Sequence, residues 1–345
     1  MKHIPHASPA FGSAFQQAAA DVLDSGILAQ GKQSQQLELA IAAYFKRDFV
    51  LAVDSGTSAL MLSIRALLKH QQGRVGIPAY ACASLLFAVK AAGATPVFMD
   101  CDAALCLDQE QAWKVIPSLD VLVLVHPFGL VEPMVGQAFP CPVIEDVAQS
   151  VGATWQQRKV GTWTDICVGS CYATKPWGGA YGGFVVTDDQ HLNAKISAMT
   201  DPDHADLQQP YVGHHQLSNM HAALAVTRLQ EADKNIDKRH ILAEKYDGWL
   251  KNSPNQRISA HHEAQSNHFR YVIRCQATAE LALEQLQALG IGARRPVQIP
   301  LHHSQPSKLC PQADLAWQHC ISLPMLTDLD EESLQHLEQG IQQCL

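Results

Sequence analysis

A single lysine stands at the entrance of a glycine-rich bend in "SCYATKPWGGAYGG", residues 170–183. The ordinary interpretation of Lys175 is a surface lysine in a turn, because lysine is seldom buried. A desolvated lysine, however, has an accessible neutral amine that can form a Schiff base with a carbonyl compound. The four glycines after it allow positive φ angles and close backbone approach. Ser170 adds a hydroxyl five positions before the lysine, near the end of a predicted strand.

The segment "DSGTSAL", residues 54–60, follows one predicted strand and opens a predicted helix. Small residues with free backbone N–H groups at a helix N-terminus can bind an anion, which makes Gly56 and Thr57 candidates. The segment matches neither the Walker motif nor the GxGxxG motif. A plain helix cap by Ser55 or Thr57 is the alternative.

The segment "VIEDVAQS", residues 143–150, ends an apolar run with two carboxylates. Ligands of open α/β sheets bind at the carboxyl ends of the strands, so Asp146 could hold a cationic nitrogen. Gln149 follows one helical turn later. The alternative is that Asp146 caps a helix that starts there.

These segments together supply what pyridoxal 5'-phosphate (PLP) requires. Its phosphate needs a helix N-terminus, its pyridinium nitrogen needs a carboxylate, and its aldehyde needs a lysine. The order along the chain, an anion site, then Asp146, then Ser170 and Lys175, predicts a PLP site at one edge of a sheet.

The elements that must position these residues alternate between strand and helix. Continuous apolar runs are typical of buried parallel strands, and the helical patterns between them predict an α/β fold with a mostly parallel sheet covered on both faces. The strand candidates are 49–53, 74–78, 95–100, 120–129, 141–146, 165–172 and 182–189.

The pattern changes from about Leu217, where one long helix or two broken ones are predicted. An alternating strand (268–275), a helix closed by Gly290 and followed by a strand, and a terminal helix come after it. We therefore expect a large domain, residues 1–235, and a smaller α+β domain, residues 236–345.

Composition excludes several classes of protein. The chain has 345 residues, 47% of them hydrophobic and 17% charged, which argues against disorder. A net charge of −8 without a basic tract argues against nucleic acid as a partner. No signal peptide or membrane-spanning run is evident, which favours a cytoplasmic protein with no membrane partner. The ten cysteines and 17 histidines form no cluster with ligand spacing, so no metal is expected.

The chain resembles the sugar aminotransferases of the DegT/StrS type, PLP enzymes with the type I (aspartate aminotransferase) fold. The resemblance covers nearly the whole chain and includes "DSGTSAL", "HPFG" and "SCYATK...GGFVVTDD" in family order. Its most specific parts are "IEDVAQSVGA" and the spacing from Ser170 to Lys175. The fold it implies is a large domain with a seven-stranded, mostly parallel sheet, and a smaller C-terminal domain.

The resemblance also implies roles for individual residues. Lys175 would form the Schiff base and carry protons, and Asp146 would keep the pyridinium nitrogen protonated. The remaining PLP contacts would come from Gln149 at the ring hydroxyl and from the phosphate ligands Gly56, Thr57 and Ser170. Glutamate would be the amino donor and a keto-sugar, linked to a nucleotide, the acceptor. Homodimers with active sites at the subunit interface are typical of this family.

Two positions depart from the family pattern at the cofactor. Cys82 stands where the family has an aromatic residue stacked on the ring. Tyr80 could replace that residue, or the Cys82 sulfur could pack on the ring face. His214 and Gln216 stand where the family often has Asn and Arg. The Asn reaches the phosphate of the neighbouring subunit's PLP, and His214 could do so too, or could lie in a plain polar loop.

One further departure, and one segment that would face the active site in the family, bear on the substrate. Trp177 and Tyr181 stand in "PWGGAYGG", where the family has small and charged residues, so they could line the acceptor pocket or pack the loop. Arg294 or Arg295 could bind a carboxylate or diphosphate, or both could be solvated.

The sequence therefore predicts a PLP-dependent aminotransferase that acts on a keto-sugar. A PLP-dependent sugar dehydratase is a second hypothesis. In the family that the chain resembles, that activity goes with histidine in place of the lysine, so Lys175 argues against it. A non-catalytic PLP-binding or regulatory protein of the same fold is a third. Retention of both Lys175 and Asp146 argues against this last hypothesis.

Overall fold

The computed structural model describes residues 3–305 and 309–345. Its strands in chain order are β1 (Phe49–Val53), β2 (Arg74–Pro78), β3 (Thr95–Met99), β4 (Val121–Val125), β5 (Val143–Asp146), β6 (Thr154–Trp155), β7 (Arg158–Lys159), β8 (Ile166–Ser170), β9 (Gly183–Thr187), β10 (Gln256–Arg257), β11 (Ala264–Gln265), β12 (Tyr271–Arg274) and β13 (Cys320–Leu323). Its α-helices are α1 (Ser13–Ser25), α2 (Lys32–Phe45), α3 (Gly56–Leu67), α4 (Ala83–Ala91), α5 (Gln109–Val115), α6 (Gln190–Ser197), α7 (Asn219–Gln230), α8 (Ala232–Trp249), α9 (Ala279–Ala288), α10 (Pro311–His319) and α11 (Glu331–Cys344).

The larger part of the chain is built on a seven-stranded sheet of order β1-β9-β8-β5-β4-β2-β3. Strand β9 is antiparallel to both of its neighbours, and the other adjacent pairs are parallel. Each of the seven predicted strand segments contains one strand of this sheet, so the predicted α/β fold is confirmed. The carboxyl ends of β5 and β8 therefore meet at the same edge, next to the start of α3.

Alternate residues of the central strand β4 pack on opposite sides of the sheet. Val121 and Val123 belong to a core cluster with α3 and α4, whereas Leu122 and Leu124 belong to a cluster with α5. Side chains of successive strand residues point to opposite faces, so a strand buried on both faces must be apolar throughout. This burial explains the continuous "VLVLV" run and confirms the predicted cover on both faces.

The smaller part is an antiparallel sheet of order β10-β12-β13, packed against α8, α9 and α11. Ile4 packs in the same core and pairs with Ile291, so a segment before α1 also contacts this part. The strand expected after Gly290 is reduced to two isolated bridges, from Ile291 to Ile4 and from Arg294 to Ser322.

The predicted domain boundary at 235/236 falls inside helix α8. Of the two alternatives for this segment, the second is confirmed: two helices, α7 and α8, are separated at Glu231. The division into residues 1–235 and 236–345 stays a prediction. None of the helices in the described ranges is both long enough and apolar enough to cross a membrane.

Candidate active site

A cavity of about 260 Å³ lies at the carboxyl ends of β5 and β8, beside the N-terminus of α3. Seven of the eight residues predicted from the sequence line it: Gly56, Thr57, Cys82, Asp146, Gln149, Ser170 and Lys175. The eighth, His214, does not. The structure thus brings together residues that lie as far as 119 positions apart, from Gly56 to Lys175.

Lys175 is held at the cavity by a tight turn. Its backbone N–H donates to the Tyr172 carbonyl at 2.8 Å, and its own carbonyl accepts from Gly178 N–H at 2.8 Å. A Cβ on Gly178 would lie 2.4 Å from the carbonyl oxygens of Tyr172 and Ala173, so only glycine permits this turn. The glycines after the lysine therefore close the turn against the backbone, and Lys175 does not lie on an open surface.

Burial lowers the pKa of the Lys175 amine, because desolvation disfavours the charged form. The nearby Arg270 guanidinium lowers this pKa further, whereas Cys82 and Asp146 act in the opposite direction. The ammonium nitrogen also lies 5.1 Å from the centroid of the Phe269 ring. A lysine in these surroundings keeps its neutral, nucleophilic form at lower pH than a solvated lysine does.

Asp146 ends β5, and burial raises the pKa of its carboxyl. The Ala148 N–H donates to Oδ1 at 2.9 Å, and Lys175 and His126 act to lower the pKa. The residues that follow Asp146 form turns, so the alternative that it caps a helix is wrong. A buried carboxyl with one backbone donor is suited to pair with a cationic ligand nitrogen.

The other carboxylate of this segment, Glu145, points to the opposite face of the sheet. It accepts hydrogen bonds from His126 Nε2 at 3.0 Å, Gly161 N–H at 2.5 Å and Trp163 N–H at 3.1 Å. His126 Nδ1 accepts from the Glu132 N–H at 3.0 Å, which leaves the proton on Nε2, facing Glu145. This second carboxylate is thus satisfied by the protein itself.

The anion end of the cavity combines the start of α3 with the end of β8. Ser55 caps α3 by accepting from Ser58 N–H at 3.1 Å, which confirms the cap, and the anion site beside it stays a prediction. The backbone N–H groups of Gly56 and Thr57 lie in the first turn of this helix. A Cβ on Gly56 would lie 3.0 Å from Ser170 Cβ, which shows how closely the two segments approach. Such a helix terminus attracts a phosphate.

Gln149 is oriented by the turn after β4. Its Oε1 accepts from Phe128 N–H at 3.1 Å, and its backbone carbonyl accepts from the Asn267 side chain at 3.1 Å. The Gln149 side-chain oxygen is thereby occupied, and its amide NH₂ is the group suited to donate to a ring hydroxyl.

Cys82 lines the cavity, but Tyr80 does not. The Tyr80 ring is buried in a core cluster 6.0 Å from the Phe128 ring, and its hydroxyl donates to the Ala316 carbonyl at 3.4 Å. The alternative that Tyr80 replaces the missing stacking residue is therefore wrong. Cys82 Sγ accepts from Ser84 Oγ at 3.1 Å and remains the candidate for the ring face.

The two aromatic residues after Lys175 have different surroundings. Trp177 is buried and packs on Tyr44, Phe45 and Phe184, so it holds the loop to the core. Tyr181 is 57% exposed and lines the cavity. Tyr172, which sequence reasoning missed, also lines the cavity and meets Tyr181 edge to face at 5.4 Å between ring centroids.

His214 is exposed and its predicted contact lies across a subunit boundary, so that role stays a prediction. The neighbouring His215 is held by Asp54 and by the Tyr211 hydroxyl, at 3.3 and 2.8 Å. Gln216, aligned with the family's Arg, donates to Asp201 at 2.7 Å and does not line the cavity.

Neither predicted substrate-binding arginine lines the cavity. Arg295 lies over the Trp317 ring, 4.5 Å from its centroid, and donates to the Trp317 carbonyl. Arg294 is exposed and pairs through its backbone with Ser322.

Two other arginines lie near Lys175, and sequence reasoning missed both. Arg239 and Arg270 line a small cavity that also includes Thr174. The signal for Arg270 was a charged residue beside the strand "YVIR". Only the folded structure shows that its charge acts on Lys175.

The residues of the cavity fit PLP. They offer an anion site, a carboxyl that lacks a cationic partner at hydrogen-bond distance in the described residues, and a lysine with a lowered pKa. A cationic ring nitrogen would stabilise the ionised Asp146 against the desolvation that raises its pKa.

Comparison with known proteins agrees with this geometry. The model of the DegT/DnrJ/EryC1/StrS aminotransferase family matches residues 9–342. The fold matches Spr1654 of Streptococcus pneumoniae in its PLP form, with a TM-score of 0.90 and 20% identity over 99% of this chain and 98% of that one.

Two further solved structures share the fold. Helicobacter pylori PseC, an aminotransferase involved in the biosynthesis of pseudoaminic acid, matches with a TM-score of 0.90 and 23% identity over 99% of each chain. A GDP-4-keto-6-deoxymannose-3-dehydratase with bound GDP-perosamine matches at 0.87 and 18% identity, over 99% of this chain and 100% of that one. Since the family match spans both the cavity and the smaller sheet, the chain belongs to the DegT/DnrJ/EryC1/StrS aminotransferase family, whose cofactor is PLP.

Proposed function

We propose that this protein transfers an amino group from glutamate to a keto-sugar that carries a nucleotide. The observation that carries the proposal is Lys175, enclosed at the cavity with a lowered pKa, in the same cavity as the strand-end Asp146. Each has a separate task in amino-group transfer.

Bound PLP would supply an electron sink for the carbanion that forms when the donor loses its Cα proton. Lys175 is the base that takes this proton, since burial keeps its amine neutral at lower pH. Asp146 would keep the ring nitrogen protonated, and Gln149 would orient the ring through its amide. Gly56, Thr57 and Ser170 would hold the phosphate at the start of α3.

Glutamate as the donor is supported by the charges beside Lys175. Arg239 donates to the carbonyls of His268 and Phe269, and Arg270 contacts His6 Nε2 at 3.0 Å. In the described parts of the chain, neither guanidinium is paired with a carboxylate. Burial, together with neighbouring arginines, lowers the pKa of Arg239 to about 10.

Burial of His6, together with the charges of Arg270 and Arg294, lowers the pKa of His6 to about 3. His6 is therefore neutral and accepts a hydrogen bond from Arg270. Buried cations without counter-charges are costly, so this pocket is suited to the carboxylates of an amino acid donor. Arg270 is the guanidinium whose charge acts on Lys175.

A sugar nucleotide as the acceptor is supported by the two exposed tyrosines of the cavity. Tyr172 and Tyr181 are 45% and 57% exposed, and large exposed aromatic surfaces are typical of binding sites. Tyrosine offers an apolar ring face and a hydroxyl, which suit both a sugar ring and a base.

A homodimer is supported by apolar residues near the segment that carries His214. Leu23 and Ile27 are 60% and 55% exposed at the end of α1, and the Ile27 carbonyl accepts from the Asn219 side chain at 2.7 Å. Leu23→Glu should therefore shift the protein toward monomer in light scattering, whereas Leu207→Glu, at a fully exposed position, should not. If Leu23→Glu remained a dimer, this face would not be the interface.

The function is tested by following the absorbance of the PLP-bound protein. Glutamate alone should discharge the cofactor and yield one equivalent of keto acid per site, and a keto-sugar nucleotide should restore the original spectrum with an aminated product. Alanine, which lacks the second carboxylate, should discharge the cofactor more slowly.

Each other outcome identifies a different error. If PLP binds but no amino donor discharges it, the protein is a non-catalytic PLP-binding protein. If the sugar loses water and gains no amine, the dehydratase hypothesis is correct. If the absorbance of the protein with PLP does not depend on Lys175, the assignment of the site is wrong.

A further inference from the structure

We propose that His302, His303 and Asp314 form a binding site for a divalent transition metal, with Zn²⁺ as the preferred ion. This site is separate from the Lys175 cavity and does not depend on the proposed function. The spacing of histidines and cysteines along the sequence predicted no metal, because two of these ligands are adjacent and the third lies eleven residues later.

The three side chains converge from two elements. His302 and His303 lie on a 3₁₀ turn, Leu301–Ser304, and Asp314 lies in the first turn of α10. One ligand atom from each lies within 4.8 Å of the others. Two imidazoles and one carboxylate are common ligands of Zn²⁺, and a fourth position would be left for water.

The distance from His302 to Asp314 suits a shared metal, and the shorter distance from His303 is that of an ordinary hydrogen bond. His302 Nε2 is 3.3 Å from Asp314 Oδ1, and His303 Nε2 is 2.7 Å from the same oxygen. Ligand atoms bound at about 2.0–2.1 Å in a tetrahedron lie about 3.3 Å apart. The His302 distance already has this value, and His303 needs a small rotation.

His302 is the unexplained group of this cluster. It is 3% exposed, yet its Nδ1 has no hydrogen-bond partner in the described residues and its Nε2 has only the long contacts with Asp314. Buried polar atoms normally have partners, so an imidazole enclosed in this way needs an explanation. A metal bound at Nε2 would give that nitrogen a close partner, whereas Nδ1 stays without a partner in the described residues.

The surrounding structure holds both elements in place. Leu301 N–H donates to the Ala79 carbonyl at 2.8 Å, which ties the 3₁₀ turn to the end of β2. The buried carboxylate of Asp100 accepts from the Gln312 and Ala313 N–H groups, at 3.0 and 2.8 Å, which fixes the start of α10. The ligands are therefore positioned before any ion arrives, as a metal site requires.

A second histidine cluster provides a matched control. His261, His262 and Glu263 also bring ligand atoms within 4.8 Å, but they are consecutive in sequence and the His261 Nδ1 to Glu263 Oε2 distance is 3.9 Å. None of the three is buried. We therefore expect this control cluster to bind metal weakly.

The experiment uses the PLP-bound protein, freed of metal by a chelator and titrated calorimetrically with ZnCl₂. We expect one tight site per chain, a higher melting temperature with Zn²⁺, and a change in the emission of Trp317, whose ring lies 6.1 Å from that of His303. CoCl₂ should give the visible absorption of a tetrahedral complex.

Variants assign the site. His303→Ala and Asp314→Asn should each weaken Zn²⁺ binding about 100-fold or more, and His261→Ala/His262→Ala should retain it. His303 is 40% exposed, so its removal should leave the metal-free melting temperature unchanged. The proposal is wrong if the protein binds no Zn²⁺, or if the affinity survives His303→Ala. PLP absorbance should be the same in all these proteins.

Discussion

Two neighbouring carboxyl groups on β5 have opposite surroundings. Glu145 is buried on one face, where His126 and two backbone N–H groups donate to it. Asp146 faces the cavity, with one backbone donor and a raised pKa. The protein satisfies the first group by itself and leaves the second to a ligand. A buried carboxyl without enough hydrogen-bond or charge partners in the protein therefore indicates a binding site. A buried carboxyl whose partners are supplied by the protein indicates a structural role.

Among the cavity residues, we expect Lys175 to have the largest effect on activity. Lys175→Ala should lower kcat by about 1000-fold or more, because the proton-transfer group is lost. The free energy of unfolding without PLP should not fall, since a desolvated amine is removed. Steady-state kinetics and urea unfolding measure the two quantities, and Lys90→Ala, at an exposed position, is the control. Retained activity in Lys175→Ala would show that another group is the base.

Asp146→Asn should lower kcat about 100-fold or more, because the cationic ring nitrogen would lose its partner. Its unfolding free energy without PLP should stay constant or rise, because Asp146 forms no ion pair with any residue that the structure describes. A variant that is destabilised but fully active would show that Asp146, like Glu145, has a structural role.

Glu145→Gln should give the reverse result. It should cost about 1.5–3 kcal/mol of unfolding free energy, since charge-assisted hydrogen bonds to His126 and the loop at Gly161 are weakened. PLP binding under folding conditions should persist. Chemical denaturation and PLP titration of one preparation test both parts, and an unchanged midpoint would contradict the structural role.

Arg270→Leu should raise KM for glutamate about tenfold, or 1.4 kcal/mol, with a smaller effect on kcat. The matched control is Arg295→Leu, because Arg295 stacks on Trp317 outside the cavity. If both variants had the same KM, the unpaired charge beside Lys175 would not be the donor site.

A third buried carboxyl, Glu132, lies outside the cavity and should affect the pH dependence of stability, not catalysis. Its two backbone donors, Leu107 and Met134, only partly offset the desolvation that raises its pKa to about 8. Because the folded state binds this proton more tightly, stability should fall as pH rises from about 4.5 to 8, by at most about 1.4 kcal/mol per pH unit. Glu132→Gln should have a flatter stability profile over this range.

The strands of the large sheet and the position of the candidate site could be predicted from local sequence patterns. The apolar runs predicted the seven strands of the large sheet because strands buried on both faces must be continuously apolar. The order of Gly56, Asp146, Ser170 and Lys175 predicted a common site because parallel strands end at one edge. The roles of these residues toward PLP stay predictions until they are measured.

Other features could not be derived from local patterns. Whether Tyr80 and Trp177 line the cavity could not be predicted, since an aromatic side chain near a motif can point into a core or into a cavity. Arg239 and Arg270 were not predicted from the sequence. What distinguishes them is that no carboxylate pairs with them among the described residues, and spatial neighbours cannot be read from a sequence.

The sequence by itself determined the α/β fold, the candidate lysine and carboxylate, and the resemblance to a family, because these depend on residue type and order. Only the tertiary structure decided which of two adjacent carboxyls faces the cavity, which arginines have no carboxylate partner among the described residues, and that His302, His303 and Asp314 meet. The physical reason is that burial and pairing are properties of contacts between distant segments, which exist only once the chain has folded.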